Sequence, residues 1–484
     1  MSDSRAYLWL ILLIGVLTAY RALVPATTGL LLNVDEAYYW GWAQNLDWGY
    51  FSKPPMIAAL ISLTTGLCGD GVSCVKLGSL LVYPVTTLLI FRTGQVLYDA
   101  RTGLWAAALF LLMPGVSLSS LIISTDVLLF LFWSLGLLAL ARALETDAWR
   151  HWLLLGLACG LGLMSKYTMA LFAPSILIAF LVVPEWRRHL LNSRLWAAAL
   201  LAVLIFLPNL LWNAMHGWPT LHHTVYISHL DKQTLRWDEL GTFLGGQFVV
   251  FGPLALVLWL AALRGAVGQS SASFRANRLL AVFSLTFLAV ITMQALLGRA
   301  HANWAAPSFV AASILLAHWC VSRPRWLLAA LIINVMFMFG IYHYERGAHL
   351  LGVELSGTTD PFKRVRGWDQ LSGQFAQRES EFQGTRLMSE DREVLALLAY
   401  HRRIPADGMR SWNPEGQIRH QYDLFYSLSA KDIGTDLLYV TGNKSIDEVA
   451  SHFAESRRLA PLEFAVHPDW IRHYEVYLLR GFKG

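Results

Sequence analysis

Two adjacent carboxylates, followed by aromatic residues and a lysine, stand out among the polar groups of this chain. Asp35 and Glu36 precede a run of tyrosine and tryptophan that includes Tyr39, and Lys53 stands directly before two prolines. Because proline fixes its own φ and restricts the residue before it, Lys53 is expected to hold one backbone conformation. A carboxylate suits general-base chemistry, and a fixed cation suits the binding of an anionic group such as a phosphate.

Three other short segments place polar side chains next to long apolar runs. Each segment taken alone is also typical of a loop cap, or of a charged side chain that reaches the membrane surface. Their significance therefore depends on whether they share one side of the protein. The side chains are those of Asp126, Lys166, Arg299, His301 and Asn303.

The composition is that of a membrane protein with a soluble tail. Of the 484 residues, 55% are hydrophobic and only 15% are charged, whereas roughly a quarter are charged in soluble domains. From Glu345 onward 38 charged residues fall within 140 positions, while the first 344 residues hold 33. Soluble enzymes, disordered chains and fibrous proteins are excluded. The formal charge of +5 combines +7 in the front section with −2 in the tail, which indicates membrane topology and argues against a nucleic-acid partner.

Stretches of about 20 apolar residues predict membrane spans. With the N-terminus inside, the inner segments hold 13 arginines and the outer segments before the tail hold 7 basic residues, as expected for cytoplasmic loops that collect positive charge. The first apolar stretch is interpreted as a retained span and not as a cleaved signal peptide. Eleven crossings place the tail outside, in the periplasm of a Gram-negative host. The predicted spans are residues 7–24, 76–97, 103–118, 124–143, 152–165, 168–184, 195–212, 243–263, 279–297, 303–320 and 326–343.

This topology gathers the scarce ionisable side chains at one surface of the membrane. Eight of the thirteen acids in the first 344 residues lie on the outer side. Carboxylates beside several cations suit a site that activates an acceptor and binds an anionic leaving group. The ionisable side chains predicted to meet there are Asp35, Glu36, Lys53, Asp126, Lys166, Arg299 and His301.

The tail is predicted to be a small α/β domain. The apolar run 436–441 indicates a buried strand, and 470–479 alternates as a second strand does. Residues 391–401 indicate a helix, and 445–458 indicate an amphipathic helix with Ser445 as its N-cap. The predicted domains are therefore a membrane part, 1–344, with its first outer loop at 31–75, and a periplasmic α/β part, 345–484.

Cysteine and histidine give weaker signals. Cys68 and Cys74 lie in one polar loop, where a disulfide and two unpaired thiols are equally compatible with the sequence. His222, His223 and His229 of the predicted outer loop 216–240 are close enough in sequence to bind a metal, although solvated loop histidines are the favoured interpretation. Nothing in the sequence calls for a metal or another cofactor, and no nucleotide-binding glycine loop appears.

Three motifs carry a resemblance to a known family. The loop DEAYYWGWAQNLDWGYFSKPPM, residues 35–56, resembles the first outer loop of GT-C glycosyltransferases of the bacterial protein-mannosyltransferase and lipid A aminoarabinose-transferase superfamily. Residues 160–166 and 302–307 are similar to two further segments of that family. The aminoarabinose transferases usually have arginine where this chain has Tyr38, and they have thirteen spans. The resemblance therefore bears on the reaction class more than on the donor sugar.

The resemblance implies a membrane glycosyltransferase that uses a polyprenyl-phosphate-linked sugar donor and a lipid acceptor, such as lipid A or another glycolipid. In this family Asp35 would be the general base, while Glu36 and Tyr39 would position it or the donor sugar. Lys53 and Lys166, with Arg299, would hold the donor phosphate. The supporting residues would be Asp126, His301 and Asn303.

The alternative is a polytopic secondary transporter or lipid flippase. Such a protein also needs many spans, and it is expected to carry ionisable residues near mid-membrane and paired broken helices. In this chain the predicted helix interiors are almost free of charge, so the sequence favours the transferase.

Overall fold

The computed structural model describes residues 3–228, 235–266 and 273–484. His229, and with it Asp231 and Lys232 of the same predicted outer loop, lies outside the described residues. The chain divides into two compact units. The first comprises Met1–Thr28, Lys53–Ile57 and Lys76–Tyr344, and the second comprises Gly29–Ser52, Ala58–Val75 and Glu345–Gly484.

Helices account for most of the chain, because long apolar segments satisfy their backbone groups internally. They are α1 Asp3–Thr28, α2 Val34–Ala43, α3 Met56–Cys68, α4 Val72–Leu97, α5 Ala100–Leu111, α6 Pro114–Ser119, α7 Thr125–Thr146, α8 Trp149–Leu163, α9 Phe172–Val182, α10 Ser193–Met215, α11 Pro219–Ser228, α12 Trp237–Phe251, α13 Pro253–Ala266, α14 Phe274–Leu297, α15 Ser308–Cys320, α16 Pro324–Tyr342, α17 Tyr344–Leu350, α18 Trp368–Glu381, α19 Arg392–Arg402, α20 Gln421–Phe425 and α21 Asp447–Ser451.

The described helices make this a multi-pass membrane protein, but the predicted count of eleven spans is not confirmed. Each predicted stretch contains helix, yet within the described residues only six helices are long and apolar enough to cross by themselves, or seven if a bent pair forms one span. Others are too short, because a helix such as α5 or α15 rises about 1.5 Å per residue and cannot cover a hydrocarbon core of about 30 Å. The six helices are α1, α4, α7, α10, α14 and α16.

The bent pair consists of α12 and α13, whose axes turn by 101°. Gly252 lies at the break with φ +100°, and a Cβ at this position would lie 1.9 Å from Oδ1 of Asn334. Only glycine fits that conformation and that contact. Pro253 then starts α13, since the first helical position needs no N–H donor. The predicted span 243–263 is therefore two helices with a sharp turn.

The second unit contains a sheet with parallel and antiparallel strands. Its order is β2-β1-β3-β6-β4, with β5 also paired to β6. β1 is parallel to β2 and β3, and β6 is antiparallel to β3, β4 and β5. Helix α19 forms the crossover between β1 and β2. The strands are β1 Arg386–Ser389, β2 Met409–Ser411, β3 Leu437–Thr441, β4 Phe453–Arg458, β5 Leu462–His467 and β6 Trp470–Phe482.

Three of the four predicted tail elements are confirmed. β3 is buried at every position, β6 contains the predicted second strand, and Asp391 caps α19 by accepting from the N–H of Glu393. The predicted helix 445–458 is wrong. Helix α21 covers one turn of it without Ser445 as N-cap, and β4 takes the rest because pairing with the long strand β6 outweighs the helical pattern.

Cys68 and Cys74 form a disulfide that closes a short loop between α3 and α4. The sequence left the two alternatives open, and α3 was not predicted because it lies in the stretch taken as a loop. The disulfide fixes the turn that leads into α4.

Asp432 connects two strands of the tail and makes its stability depend on pH. Its Oδ1 accepts from Arg386 Nη1 at 3.0 Å and from Arg410 Nε at 2.7 Å. Burial alone would raise the pKa of this carboxyl, but the Arg410 guanidinium and the hydrogen bonds from Ser429 lower it below its usual value. A depressed folded-state pKa gives stability that is complete above the unfolded value of about 3.9 and is lost as the pH falls through the folded value.

We therefore expect Asp432→Asn to destabilise the second unit by about 1–3 kcal/mol at pH 7. The difference from wild type should shrink as the pH falls below about 4. Thermal unfolding at pH 7, 5 and 3.5 measures it, with the exposed Asp447→Asn as control. A difference that stays constant over this range contradicts the prediction.

Candidate active site

Helix α2 begins with a reciprocal cap that fixes the predicted catalytic pair. The Asn33 side chain accepts from the Glu36 N–H at 3.0 Å, and Glu36 Oε2 accepts from the Asn33 N–H at 2.9 Å. Glu36 is buried, whereas the Asp35 side chain remains 54% exposed. Glu36 thus orients the start of α2, and Asp35 is the member of the pair that a substrate can reach.

Asp35 is held by an arginine that the sequence did not single out. Nη1 of Arg392 donates to Oδ1 of Asp35 at 2.8 Å, and the guanidinium lies 5.0 Å from the centre of the Tyr38 ring. Burial alone would lower the pKa of Arg392, but the neighbouring Asp35 and Tyr38 raise it. The two members of the pair are 357 positions apart, so no local pattern could have indicated it.

The aromatic residues of α2 are buried within the second unit. Tyr39 is 5% exposed and its ring centre lies 4.9 Å from that of Trp42. The Tyr38 hydroxyl accepts from the Gln421 N–H. Such rings pack through their apolar faces while their polar atoms bond to the folded tail.

In the first unit, three of the predicted site residues meet. Lys166 Nζ donates to Oδ1 of Asp126 at 2.5 Å, and Nδ2 of Asn303 donates to Oδ2 of the same carboxylate at 3.0 Å. The Lys166 and Asp126 side chains are only 14% and 13% exposed. Asp126 lies in the first turn of α7, and Lys166 follows α8, so the two residues lie at the same end of neighbouring helices.

Lys53 belongs to the first unit, and its segment is hydrogen-bonded to the C-terminal end of α8. The Met56 N–H donates to the Met164 carbonyl at 3.1 Å. This hydrogen bond holds the Lys53–Ile57 segment against Met164, which precedes Lys166 by two residues in the sequence. Pro54 and Pro55, which separate Lys53 from Met56 in the sequence, are buried. The structure therefore brings the two predicted lysine segments into contact through the backbone.

Arg299 and His301 are close in sequence to this network but are not members of it. Both side chains are exposed. The Arg299 backbone N–H donates to the Ser228 carbonyl, and the His301 ring packs edge-on against Trp304. Among the described residues neither side chain is hydrogen-bonded or ion-paired, so their predicted roles stay predictions.

Comparison with characterised proteins identifies the same class of enzyme over most of the chain. Residues 52–212 match the family model described as dolichyl-phosphate-mannose-protein mannosyltransferase. The lipid A galacturonosyltransferase RgtD of Rhizobium johnstonii is 31% identical over 420 residues, which cover 84% of this chain and 85% of that protein. An undecaprenyl phosphate-aminoarabinose arabinosyl transferase of Sodalis glossinidius is 31% identical over 48% of this chain and 44% of its own length.

Among solved structures, apo ArnT from Cupriavidus metallidurans has the same fold. It matches with a TM-score of 0.68 at 14% identity over 98% of both chains. The same enzyme bound to undecaprenyl phosphate also matches with a TM-score of 0.68 at 14% identity, over 97% of this chain and 98% of the ArnT chain. With a relative 31% identical along 84% of its length, the chain belongs to the family of membrane glycosyltransferases that includes the lipid A galacturonosyltransferase RgtD.

Proposed function

We propose that this protein transfers a sugar from a polyprenyl-phosphate-linked donor to lipid A or a related envelope glycolipid. The observation that carries the proposal is the likeness to RgtD along nearly the whole chain. The fold shared with ArnT bound to undecaprenyl phosphate supports the donor class. The membrane part, 1–344, would bind the polyprenyl chain and carry the chemistry with its first outer loop, and the part from 345 onward would help to select the acceptor.

Asp35 is the proposed general base. It would take the proton from the acceptor hydroxyl or phosphate as that oxygen attacks the anomeric carbon and the polyprenyl phosphate leaves. Arg392 occupies Oδ1, and the exposed side chain leaves the second carboxylate oxygen accessible.

Lys166, Lys53 and Arg299 are the proposed ligands of the donor phosphate. The negative charge that develops on a phosphate leaving group requires preorganised cations in a site of low dielectric constant. An ammonium group has three N–H donors, and Asp126 occupies one donor of Lys166. Asp126 and Asn303 would thus orient Lys166 and leave it able to bind an anion.

The proposed active side is the extracytoplasmic face of the inner membrane. The excess of arginine on the opposite side supports this orientation. The Cys68–Cys74 disulfide supports it independently, because disulfides persist in oxidising compartments such as the periplasm.

A reconstituted transfer assay tests the proposal. The full chain in detergent is given lipid A with polyprenyl-phosphate-linked galacturonic acid, and separately with polyprenyl-phosphate-linked aminoarabinose. We expect a glycosylated lipid A, detected by mass spectrometry, together with free polyprenyl phosphate. Reconstituted vesicles in which labelled lipid crosses the bilayer without any glycosidic product would instead support a flippase and contradict the proposal.

Arg392 is expected to act as a positioning residue for Asp35. Arg392→Ala should lower kcat by about tenfold with little change in the donor KM, because a charge-assisted hydrogen bond of about 1.5–3 kcal/mol no longer fixes the base. Arg392→Lys should be intermediate, since it keeps the charge but not the guanidinium geometry.

Arg402→Ala is the matched control for this variant. Arg402 lies in the same helix, has the same 36% exposure and pairs with Glu379 at 2.9 Å. If the two alanine variants lower the melting temperature equally and kcat equally, Arg392 has only a structural role.

A further inference from the structure

A cavity in the second unit is lined by residues of α2 but not by Asp35 or Arg392. Its volume is about 110 Å³. Since a cavity of roughly 10–15 Å³ holds one water molecule, this cavity has space for several waters, or for about one sugar ring. The walls come mainly from α2, the loop after it, α19, the segment that follows α19, and α20, all within the second unit. Its lining includes Gly41, Trp42, Asn45, Asp47, Tyr50 and Tyr422.

Rigid aromatic rings form one wall of the cavity. The rings of Trp42 and Tyr50 are parallel within 2°, with centres 4.6 Å apart. Tyr50 is fixed further by its hydroxyl, which donates to the Trp42 and Asn45 carbonyls at 3.2 Å. Such rings offer apolar faces at low entropic cost, because few side-chain torsions must be ordered on binding.

Polar groups with unused hydrogen-bonding capacity line the same cavity. The buried indole N–H of Trp42 has no hydrogen-bond partner within the described part of the chain. Tyr422 is 4% exposed, and its hydroxyl oxygen is the atom found nearest to the space beside Gly41. Burial raises the pKa of Tyr422, so its hydroxyl keeps the proton and can donate. Buried polar groups are normally satisfied, and a ligand with hydroxyl groups would satisfy the Trp42 N–H and accept a hydrogen bond from Tyr422.

Gly41 keeps space open beside that hydroxyl. Within 4 Å of a Cβ added here, the one neighbouring atom found is the Tyr422 hydroxyl oxygen, at 3.8 Å. Backbone strain therefore does not require glycine at this position. Inside a helix, glycine costs roughly 0.5–1 kcal/mol relative to alanine. A glycine that the helix does not need is consistent with a volume that has to stay free.

We propose that this cavity is a subsite for an uncharged or amino sugar ring of the acceptor glycolipid. The ring's C–H faces would pack on Trp42 and Tyr50, and its hydroxyls would bond to Tyr422 and the Asn45 amide. Asp47 is the one charged residue of the lining, which disfavours a phosphate or a uronic acid and so favours the acceptor over the donor phosphate. The identification of the sugar as part of an acceptor rests on the proposed function.

Saturation-transfer NMR with the full chain tests the subsite without any transfer reaction. The protein is kept in an amine-oxide detergent, because alkyl glycosides carry a competing sugar. The probes are methyl β-glucosaminide, glucuronate and 1-hexanol. We expect saturation to pass from the protein to the glucosaminide, equally in the wild type and in Asp35→Asn. Glucuronate should receive less saturation than the glucosaminide.

Two cavity variants and one neighbour give the comparison. Gly41→Leu fills the cavity and should abolish the signal, and Tyr422→Phe should weaken binding roughly fivefold, the loss expected for one hydrogen bond. Leu46→Ala is the control, since Leu46 is exposed and lies between two lining residues without belonging to the lining.

An unchanged glucosaminide signal in folded Gly41→Leu would overturn the proposal, as would saturation of hexanol alone or of no probe. Binding that persists when no transfer activity is found would leave the subsite standing and contradict the proposed function. Transfer activity without glucosaminide binding would support the proposed function and overturn the subsite.

Discussion

Asp35→Asn should lower the rate of sugar transfer by about 10²–10⁴, the range that a general base contributes. Asparagine keeps a side-chain oxygen that can accept from Arg392, so α2 and its contacts should remain folded. The donor KM should change little, because the phosphate ligands are on other segments. Steady-state transfer to lipid A by the purified variant measures the effect.

Asp238→Asn makes the same chemical change at another acid and serves as the control. Asp238 is 71% exposed and pairs with Arg236, outside the proposed machinery. Transfer by Asp35→Asn at the wild-type rate would remove the base assignment, even if the protein proved to be a transferase.

Lys166→Met should nearly abolish transfer, by about 10²–10³, because a cation at the leaving phosphate stabilises charge that develops in the transition state. It should also destabilise the first unit by about 1–3 kcal/mol, since the partly buried Asp126 loses its counterion. Transfer kinetics and thermal melting of the same preparation measure the two effects together.

The double variant Lys166→Met/Asp126→Asn separates stability from activity. Removing both charges eliminates the unpaired carboxylate, and Asn303 retains a hydrogen-bonding partner. We expect the melting temperature to recover while transfer stays low. If both recover, Lys166 is only the counterion of Asp126 and does not bind the donor phosphate.

Hydropathy and charge pattern could identify the class of protein, because lipid and water impose opposite demands on the two parts of the chain. The same pattern could not count the crossings. Segments such as α5 and α15 are as apolar as true spans but shorter, and the turn at Gly252 depends on a contact with Asn334 that lies far away in sequence.

The candidate site could be predicted only in part, because some of its contacts join residues far apart in the sequence. Asp126, Lys166 and Asn303 were predicted to share one face, and the structure brings them into one network. Arg392 was not found, because its contact with Asp35 depends on how the tail folds. The segment 445–458 failed because pairing with a distant strand, and not local periodicity, decides its conformation.

The packing of α2 on α19 has a consequence for engineering hybrid enzymes. Asp35 contacts Arg392 near one end of the helix pair, and farther along Trp40 packs edge-on against Tyr400 at 5.2 Å. Residues 29–52 and 58–75 therefore belong to one folding module with the C-terminal part, although more than 260 positions separate them from it. A chimera that exchanges C-terminal parts between relatives should remain competent only if both early segments are exchanged together with the C-terminal part.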